Sequence, residues 1–223
     1  MIDFEALFKI SYGLYIVSSG DKTEGNGFIA NTVFQVTAEP PRFAICCNKN
    51  NYTSDYLNKY QVFSVSILAR NASSEIIGKF GYKSGKNINK FADSQVQYGE
   101  TGVPIILNDC IAYLECKVEK TLDLGTHILY IGELINAETI DKTKEPLTYQ
   151  HYREVKKGVA PKNAPTYIDK TKLVAKSINV KKYKCPVCGY IYDESTENVK
   201  FKDLQSDWLC PICGAEKIDF IEI

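Results

Sequence analysis

Four cysteines near the C-terminal end leave this chain its least freedom. Cys185-Pro186-Val187-Cys188-Gly189 and Cys210-Pro211-Ile212-Cys213-Gly214 are two Cys-x-x-Cys-Gly pairs, with residues 189 to 209 between them. Two sulfurs three residues apart can grip one ion from a single tight turn. The glycine after each pair lets the backbone bend so that amide N–H groups point at the thiolates and disperse their charge. Four sulfurs in a tetrahedron suit zinc or iron. The spacing marks a metal site without choosing between the two.

The residues around the pairs favour iron. Tyr183, Tyr190, Tyr192, Phe201, Trp208 and Phe220 are gathered in a segment of only 41 residues, 183–223, too short to build an ordinary core. A zinc ribbon needs few of them, because the metal supplies most of its folding energy. A redox iron gains from a dry aromatic shell that controls solvent access and potential. The pattern Tyr183-Lys184-Cys185-Pro186-Val187-Cys188-Gly189-Tyr190-Ile191-Tyr192-Asp193, then Phe201-Lys202-Asp203-Leu204, then Asp207-Trp208-Leu209-Cys210-Pro211-Ile212-Cys213-Gly214 with Phe220 beyond, resembles rubredoxin. The stretch between the pairs is shorter than in most of that family and lacks its Pro-Gly turn before Phe201. The resemblance implies one iron, cycling between Fe2+ and Fe3+, on Cys185, Cys188, Cys210 and Cys213.

The remainder of the 223 residues is ample for a second core. Charge is unevenly spread: residues 156–182 carry eight lysines against Asp169 alone, and residues 183–223 carry four lysines against eight acids. A basic strap beside an acidic module is not the footprint of a nucleic-acid binder, whose positive charge clusters on a folded face. No stretch approaches the length of a bilayer span, and Met1-Ile2-Asp3-Phe4-Glu5 has no basic region before an apolar run, so a cytoplasmic protein without membrane contact is expected. Cys46, Cys47, Cys110 and Cys116 lie in apolar, strand-like runs and read as reduced packing residues.

Along the chain, residues 3–10 suit a short helix capped by Asp3, and strands are expected over 14–19, 28–30, 33–37, 42–47 and 62–68. A helix should begin near Thr53 or Ser54, either of which could cap it. Ser74 to Phe80 reads as helical, with Gly78, Gly81 and Gly85 breaking the pattern. Ala112, Leu114, Cys116 and Val118 give a period of two, and His127 to Leu134 pairs with that strand across Asp123-Leu124-Gly125. Strands with inserted helices, and no regular strand–helix alternation, argue for a mostly β, antiparallel barrel. Residues 156–182, with Pro161 and Pro165, read mostly as linker. No Gly-x-Gly-x-x-Gly opens a helix, so a Rossmann nucleotide site is unsupported.

Gly25-Asn26-Gly27-Phe28-Ile29-Ala30-Asn31-Thr32, Pro40-Pro41, Asn48-Lys49-Asn50-Asn51-Tyr52-Thr53 and Phe63 to Leu68 resemble, in order and spacing, the flavin reductase-like FMN-binding split-barrel family. So do Phe80-Gly81-Tyr82-Lys83-Ser84-Gly85, Ala112 to Cys116, His127 to Glu133, Pro146 to Tyr149 and Ala164 to Tyr167. The resemblance implies a six-stranded split barrel over residues 1–167 and a homodimer with FMN near the subunit interface. FMN contacts carried over are Asn31, Thr32, Asn48, Lys49 and Thr53, with Phe80 and Gly81. His127 occupies the family's histidine position beside flavin and nicotinamide, as a catalytic positioning group. His151 reads as surface.

These parts suggest a split barrel (1–167), a Lys-rich linker (168–182) and a rubredoxin domain (183–223). Nicotinamide delivers two electrons as hydride, a rubredoxin iron accepts one, and a flavin converts between them. The expected function is electron transfer from NAD(P)H via FMN to the iron. Chains joining these domains are similar to the high-molecular-weight rubredoxins, which implies a flavodiiron oxygen or nitric oxide reductase as acceptor. Two alternatives stand beside it: a carrier without NAD(P)H oxidase activity, and a reductase supplying free reduced flavin beside a zinc module.

Overall fold

The computed structural model describes residues 2–169, 181–197 and 199–223. The chain forms two compact units, Met1–Ile168 and Asp169–Ile223. Of the expected linker 168–182, residues 170–180 lie outside the described residues.

The first unit is built on strands β1 (Tyr15–Gly20), β2 (Gly25–Ala30), β3 (Val33–Ala38), β4 (Pro41–Asn48), β5 (Val62–Leu68), β6 (Val96–Tyr98), β7 (Pro104–Ile106), β8 (Cys110–Asp123) and β9 (His127–Thr139). Seven of them form an antiparallel sheet in the order β2-β1-β5-β8-β9-β4-β3, and β6 and β7 pair as a separate ribbon. The outermost strands, β2 and β3, are consecutive in the chain and joined only by Asn31 and Thr32. That link spans at most about 11 Å, so the two sheet edges must curl toward each other. The result is a barrel split at Asn31-Thr32. The expected six strands are seven because β3, mostly exposed, pairs with β4 alone at the edge.

Core residues fall on both sides of the sheet. One cluster contains Val17, Ile45, Leu57, Phe63, Val65 and Tyr130; another brings Ile16, Leu68, Ile106 and Leu147 against Ile76, Ile77 and Phe80. Each such side chain taken fully from water contributes roughly 1.5–3 kcal/mol. The apolar face of α2 (Ser74–Gly81) explains why Gly78 does not break it: Ile76, Ile77 and Phe80 all bury against the sheet, and the Ser73 hydroxyl caps the helix by accepting from the Ile76 amide.

The sequence pattern misplaces two details. Helix α1 (Thr53–Tyr60) is not capped by Thr53 or Ser54; Tyr52 occupies the N-cap position without a side-chain bond, and Asn51 Oδ1 accepts from the Thr53 amide. In β8 the period of two does not hold throughout. Tyr113 and Glu115 are buried as well as Cys116 and Val118, because a bulge at Glu115/Cys116 exchanges the buried face. Glu115 is fully buried and accepts from the backbone amides of Glu100 and Thr101, fastening the 99–103 turn. A third helix, α3 (Tyr149–Glu154), is capped by Thr148 and buries Tyr149 and Tyr152.

The second unit is a small sheet, β11-β10-β12, from β10 (Lys182–Lys184), β11 (Ile191–Asp193) and β12 (Ile221–Glu222). Its core is aromatic. Phe201 stacks on Tyr183 with centroids 4.0 Å apart and meets Tyr192, Trp208 and Phe220 at 5.3–5.8 Å.

Candidate active site and metal centre

A cleft of about 320 Å³ opens in the first unit, within the range of small-molecule sites. Its walls come from distant parts of the chain: β2 and the Asn31 link, the end of β4, the Asn50-Asn51-Tyr52 turn, the end of α2 through Gly85, α3, and residues 159–165. Aromatic and aliphatic side chains such as Phe28, Ile77, Phe80 and Tyr152 give it flat apolar surface, and the amides of Asn31, Asn48, Asn50 and Asn51 supply polar contacts.

Asn31, Asn48, Phe80 and Gly81 of the expected set line this cleft. Thr32, Lys49 and Thr53 do not. Thr32 Oγ1 is buried beside the split with no hydrogen-bond partner among the described residues. Lys49 is drawn outward into an ion pair with Asp123 at 2.6 Å. Thr53 turns inward, where its hydroxyl accepts from the Asn26 amide at 3.2 Å.

His127 stands opposite Asn48 in the β4–β9 pairing, so the register places it at the cleft's border. Its Nε2 lies 3.2 Å from the carbonyl oxygen of Asn163 and 3.4 Å from the side-chain amide nitrogen of Asn48. Its Nδ1 pairs with the Thr126 hydroxyl at 2.9 Å. Cys46 and Cys47, both read as packing, separate by strand alternation. Cys46 faces the cleft and Cys47 the core. Burial pushes both thiols up, so neither is poised as a thiolate.

Two contributors are not visible in the sequence pattern. Residues 159–165, linker-like in composition but inside the 1–167 bounds implied by the family resemblance, form a wall of the cleft. They are tied down by the Tyr82 hydroxyl donating to the Val159 carbonyl (2.6 Å), by His127 on Asn163, and by the Asn31 amide donating to Thr166 Oγ1 (2.6 Å). The second is Lys90, 4% exposed, whose ammonium donates to the carbonyls of Gly27 (2.9 Å) and Phe80 (3.2 Å). A lysine among asparagines in 87–91 has no periodicity to mark it as buried.

In the second unit the four cysteine sulfurs all lie within 4.8 Å of one another, with Cys185–Cys213 and Cys188–Cys210 at 3.6 Å. A tetrahedron with metal–sulfur bonds of ~2.3 Å has edges of about 3.8 Å, so the cradle fits one ion. The two turns are built alike. Gly189 and Gly214 have φ of 79° and 73°, and their amides donate to the carbonyls of Cys185 and Cys210. That left-handed conformation is why glycine follows each pair. Cys185 and Cys210 are buried; Cys188 and Cys213 are exposed, beside the exposed Val187 and Ile212.

Residues 7–157 match the flavin reductase like domain model, and residues 182–220 match rubredoxin. The chain is 40% identical to the high molecular weight rubredoxin of Moorella thermoacetica across the full length of both. It is 42% identical to the ferric-chelate reductase (NAD(P)H) of Archaeoglobus fulgidus over 75% of this chain and 99% of that one. Among solved structures, the NADH:FAD oxidoreductase of Streptomyces globisporus superposes with a TM-score of 0.58 at 26% identity, over 66% of this chain and 86% of that one. A barrel split at Asn31-Thr32 and a four-thiol cradle thus have matching relatives both singly and joined: the chain belongs to the flavin reductase-like family and carries a rubredoxin domain at its C-terminal end.

Proposed function

We propose that the chain is an NAD(P)H-dependent flavin/rubredoxin oxidoreductase that uses FMN in the barrel cleft and one iron on Cys185, Cys188, Cys210 and Cys213, and that delivers electrons to an outside acceptor. The observation that carries this reading is the presence, on one chain, of an aromatic-walled cleft and a tetrahedral thiolate cradle. Flavin supplies the conversion between a two-electron donor and a one-electron acceptor. The names of the relatives, a ferric-chelate reductase using NAD(P)H and an NADH:FAD oxidoreductase, support the choice of donor.

The chain's own part is positioning. Asn31 and Asn48 offer amides to the cofactor, and Phe80 and Gly81 offer flat surface. Lys49 and Thr53 contribute only after leaving their present partners, Asp123 and Asn26. His127, held between Asn48, Asn163 and Thr126, orients substrate at the cleft's border and is not needed as a base, since hydride transfer requires none. The exposed edge at Cys188 and Cys213, flanked by Val187 and Ile212, is where an acceptor would dock.

In this reading residues 1–167 form the reductase domain, 168–182 a linker and 183–223 the electron-delivering domain of a cytoplasmic protein. Exposed Phe34 and Val36 on the edge strand β3, and Leu122 and Leu124 at the tip of the β8–β9 hairpin, support homodimer formation through the barrel. No helix among the described residues is long and apolar enough to cross a membrane. The acceptor proposed is a flavodiiron protein. The test is steady-state NADH and NADPH oxidation by the FMN- and iron-loaded full chain with an artificial one-electron acceptor. Turnover is expected; its absence would leave a carrier dependent on another reductase. Stopped-flow mixing of the reduced chain with a flavodiiron protein then tests the acceptor, and no electron transfer would rule it out.

A further inference from the structure

Residues 159–166 run along the cleft but are weakly attached to the core. None of residues 159–169 is buried, and among the described residues the backbone–backbone bonds of this stretch are internal, the Ala164 amide to Pro161 and the Tyr167 amide to Ala164. Ala160 packs against the core cluster under α2. Three side-chain bonds fasten the stretch to the barrel: Tyr82 to the Val159 carbonyl, His127 to the Asn163 carbonyl and Asn31 to the Thr166 hydroxyl. A surface stretch held by so few contacts opens at far lower cost than the sheet beneath it. Its root is firmer. Lys156 donates to the Ala72 carbonyl and the Gly158 amide to the Tyr152 carbonyl, both at 2.9 Å. Between them Lys157 takes a left-handed φ of 55°, a conformation uncommon for a residue with a side chain. The chain then passes so close to Tyr152 that a Cβ on Gly158 would run into its ring. The stretch has a fixed end and a releasable one.

Two of the three fastenings fall on polar groups of the cleft itself. Thr166 Oγ1 accepts from Asn31 Nδ2 at 2.6 Å, and Asn31, though it lines the cleft, is only 5% exposed. The Asn163 carbonyl oxygen stands 3.2 Å from His127 Nε2 at the cleft's border. In the proposed function these same side chains meet flavin and nicotinamide. The flavin ring and the nicotinamide carboxamide both present carbonyl oxygens, the kind of acceptor that Asn163 and Thr166 present here. An imidazole nitrogen offers a single proton or a single lone pair, so a ligand group on His127 Nε2 and the Asn163 carbonyl exclude each other.

We propose that residues 159–166 are a displaceable strap that competes with flavin and nicotinamide for Asn31 and His127, and that swings about Lys157-Gly158 when ligand takes those groups. The strap gates the cleft with oxygen atoms of its own that stand in for those of the ligand. This rests on the flavin reading of the cleft.

Trypsin cleavage after Lys162, followed by mass spectrometry on the full chain without ligand and then with saturating FMN and NAD+, reads the strap directly. The Lys162 side chain is already exposed, so the rate follows release of the backbone. Ligand should speed this cleavage about tenfold, whereas a fixed wall would be protected and cleaved more slowly. FMN titration of Thr166→Val gives the second reading. Removing one latch bond should tighten FMN about two- to tenfold, because less of the chain is held in the competing arrangement. Thr166→Ser, which keeps the acceptor, should stay within about twofold of wild type. A wall that merely supports the flavin predicts the opposite sign, weaker binding by Thr166→Val. Cleavage that slows or does not change with ligand, or a Thr166→Val chain that binds FMN no more tightly than wild type, overturns the proposal. Failure of wild type to bind FMN would instead overturn the flavin reading itself.

Discussion

The cleft of the first unit and the cysteine cradle of the second are built over very different lengths of chain. The cleft draws on residues from Leu14 to Pro165, and what unites them is sheet register: β2 beside β1, β4 beside β9, the split at Asn31-Thr32 between the two edges. The cradle draws on two turns between Cys185 and Gly214, each with the same amide-to-carbonyl bond closing on a left-handed glycine. A site of the first kind depends on a whole core, and single losses at its rim are buffered. A site of the second kind rests on four ligands and a few rings, and a single loss removes it.

The largest effect that would break this contrast is at a buried ligand. Cys185→Ser is expected to abolish iron binding and its red absorption while leaving flavin affinity within about twofold. Iron analysis beside a flavin titration checks both halves, and a parallel loss of flavin would show that the two sites are not independent. Next comes Phe201→Ala, which removes the ring touching four other aromatics and should cost about 3–5 kcal/mol. In so small a unit that is enough to unfold it without metal, as proteolysis of the iron-free protein would show.

Smaller is the pH response of the flavin-free barrel. Lys90 keeps its proton to about 8 in the fold and to 10.5 when unfolded, so between those values the unfolded chain binds more protons and stability rises with pH. The full span corresponds to about 3 kcal/mol, read as a urea midpoint that rises above pH 8 in wild type and less steeply in Lys90→Met. At the cleft's rim, Asn48→Ala should weaken flavin binding about tenfold. Lys49→Ala, whose ion pair with Asp123 is exposed, should change affinity by less than about twofold and leave stability unmoved. Equal losses at both positions would mean that Lys49 leaves Asp123 when the ligand arrives.

The same contrast explains what could be read from the sequence. The cradle is local chemistry, so spacing, glycines and aromatic neighbours display it directly. Helix α3 has no such signal, whereas strand positions and helices α1 and α2 were legible through β-rich runs and turn residues. The cap of α1 was not, because Asn51 and Thr53 are equally good capping types and only the path of the turn decides between them. The buried face of β8 was hidden by its bulge. Asn31, Asn48, Phe80 and Gly81 were named by resemblance and line the cleft, while Lys49 and Thr53 belong to the same motif but face other partners. Residues 159–165 carry the lysines and prolines of a linker, and their role as a wall depends on bonds to Tyr82, His127 and Asn31 that no local pattern encodes.

The central claim is that one chain carries a flavin and an iron that work in series. An anaerobic visible spectrum of the full chain, loaded with both cofactors and recorded before and after addition of NADH, addresses it in one cuvette. Flavin and ferric-thiolate bands that both bleach are the predicted result. A flavin band that bleaches while the red iron band persists would contradict it.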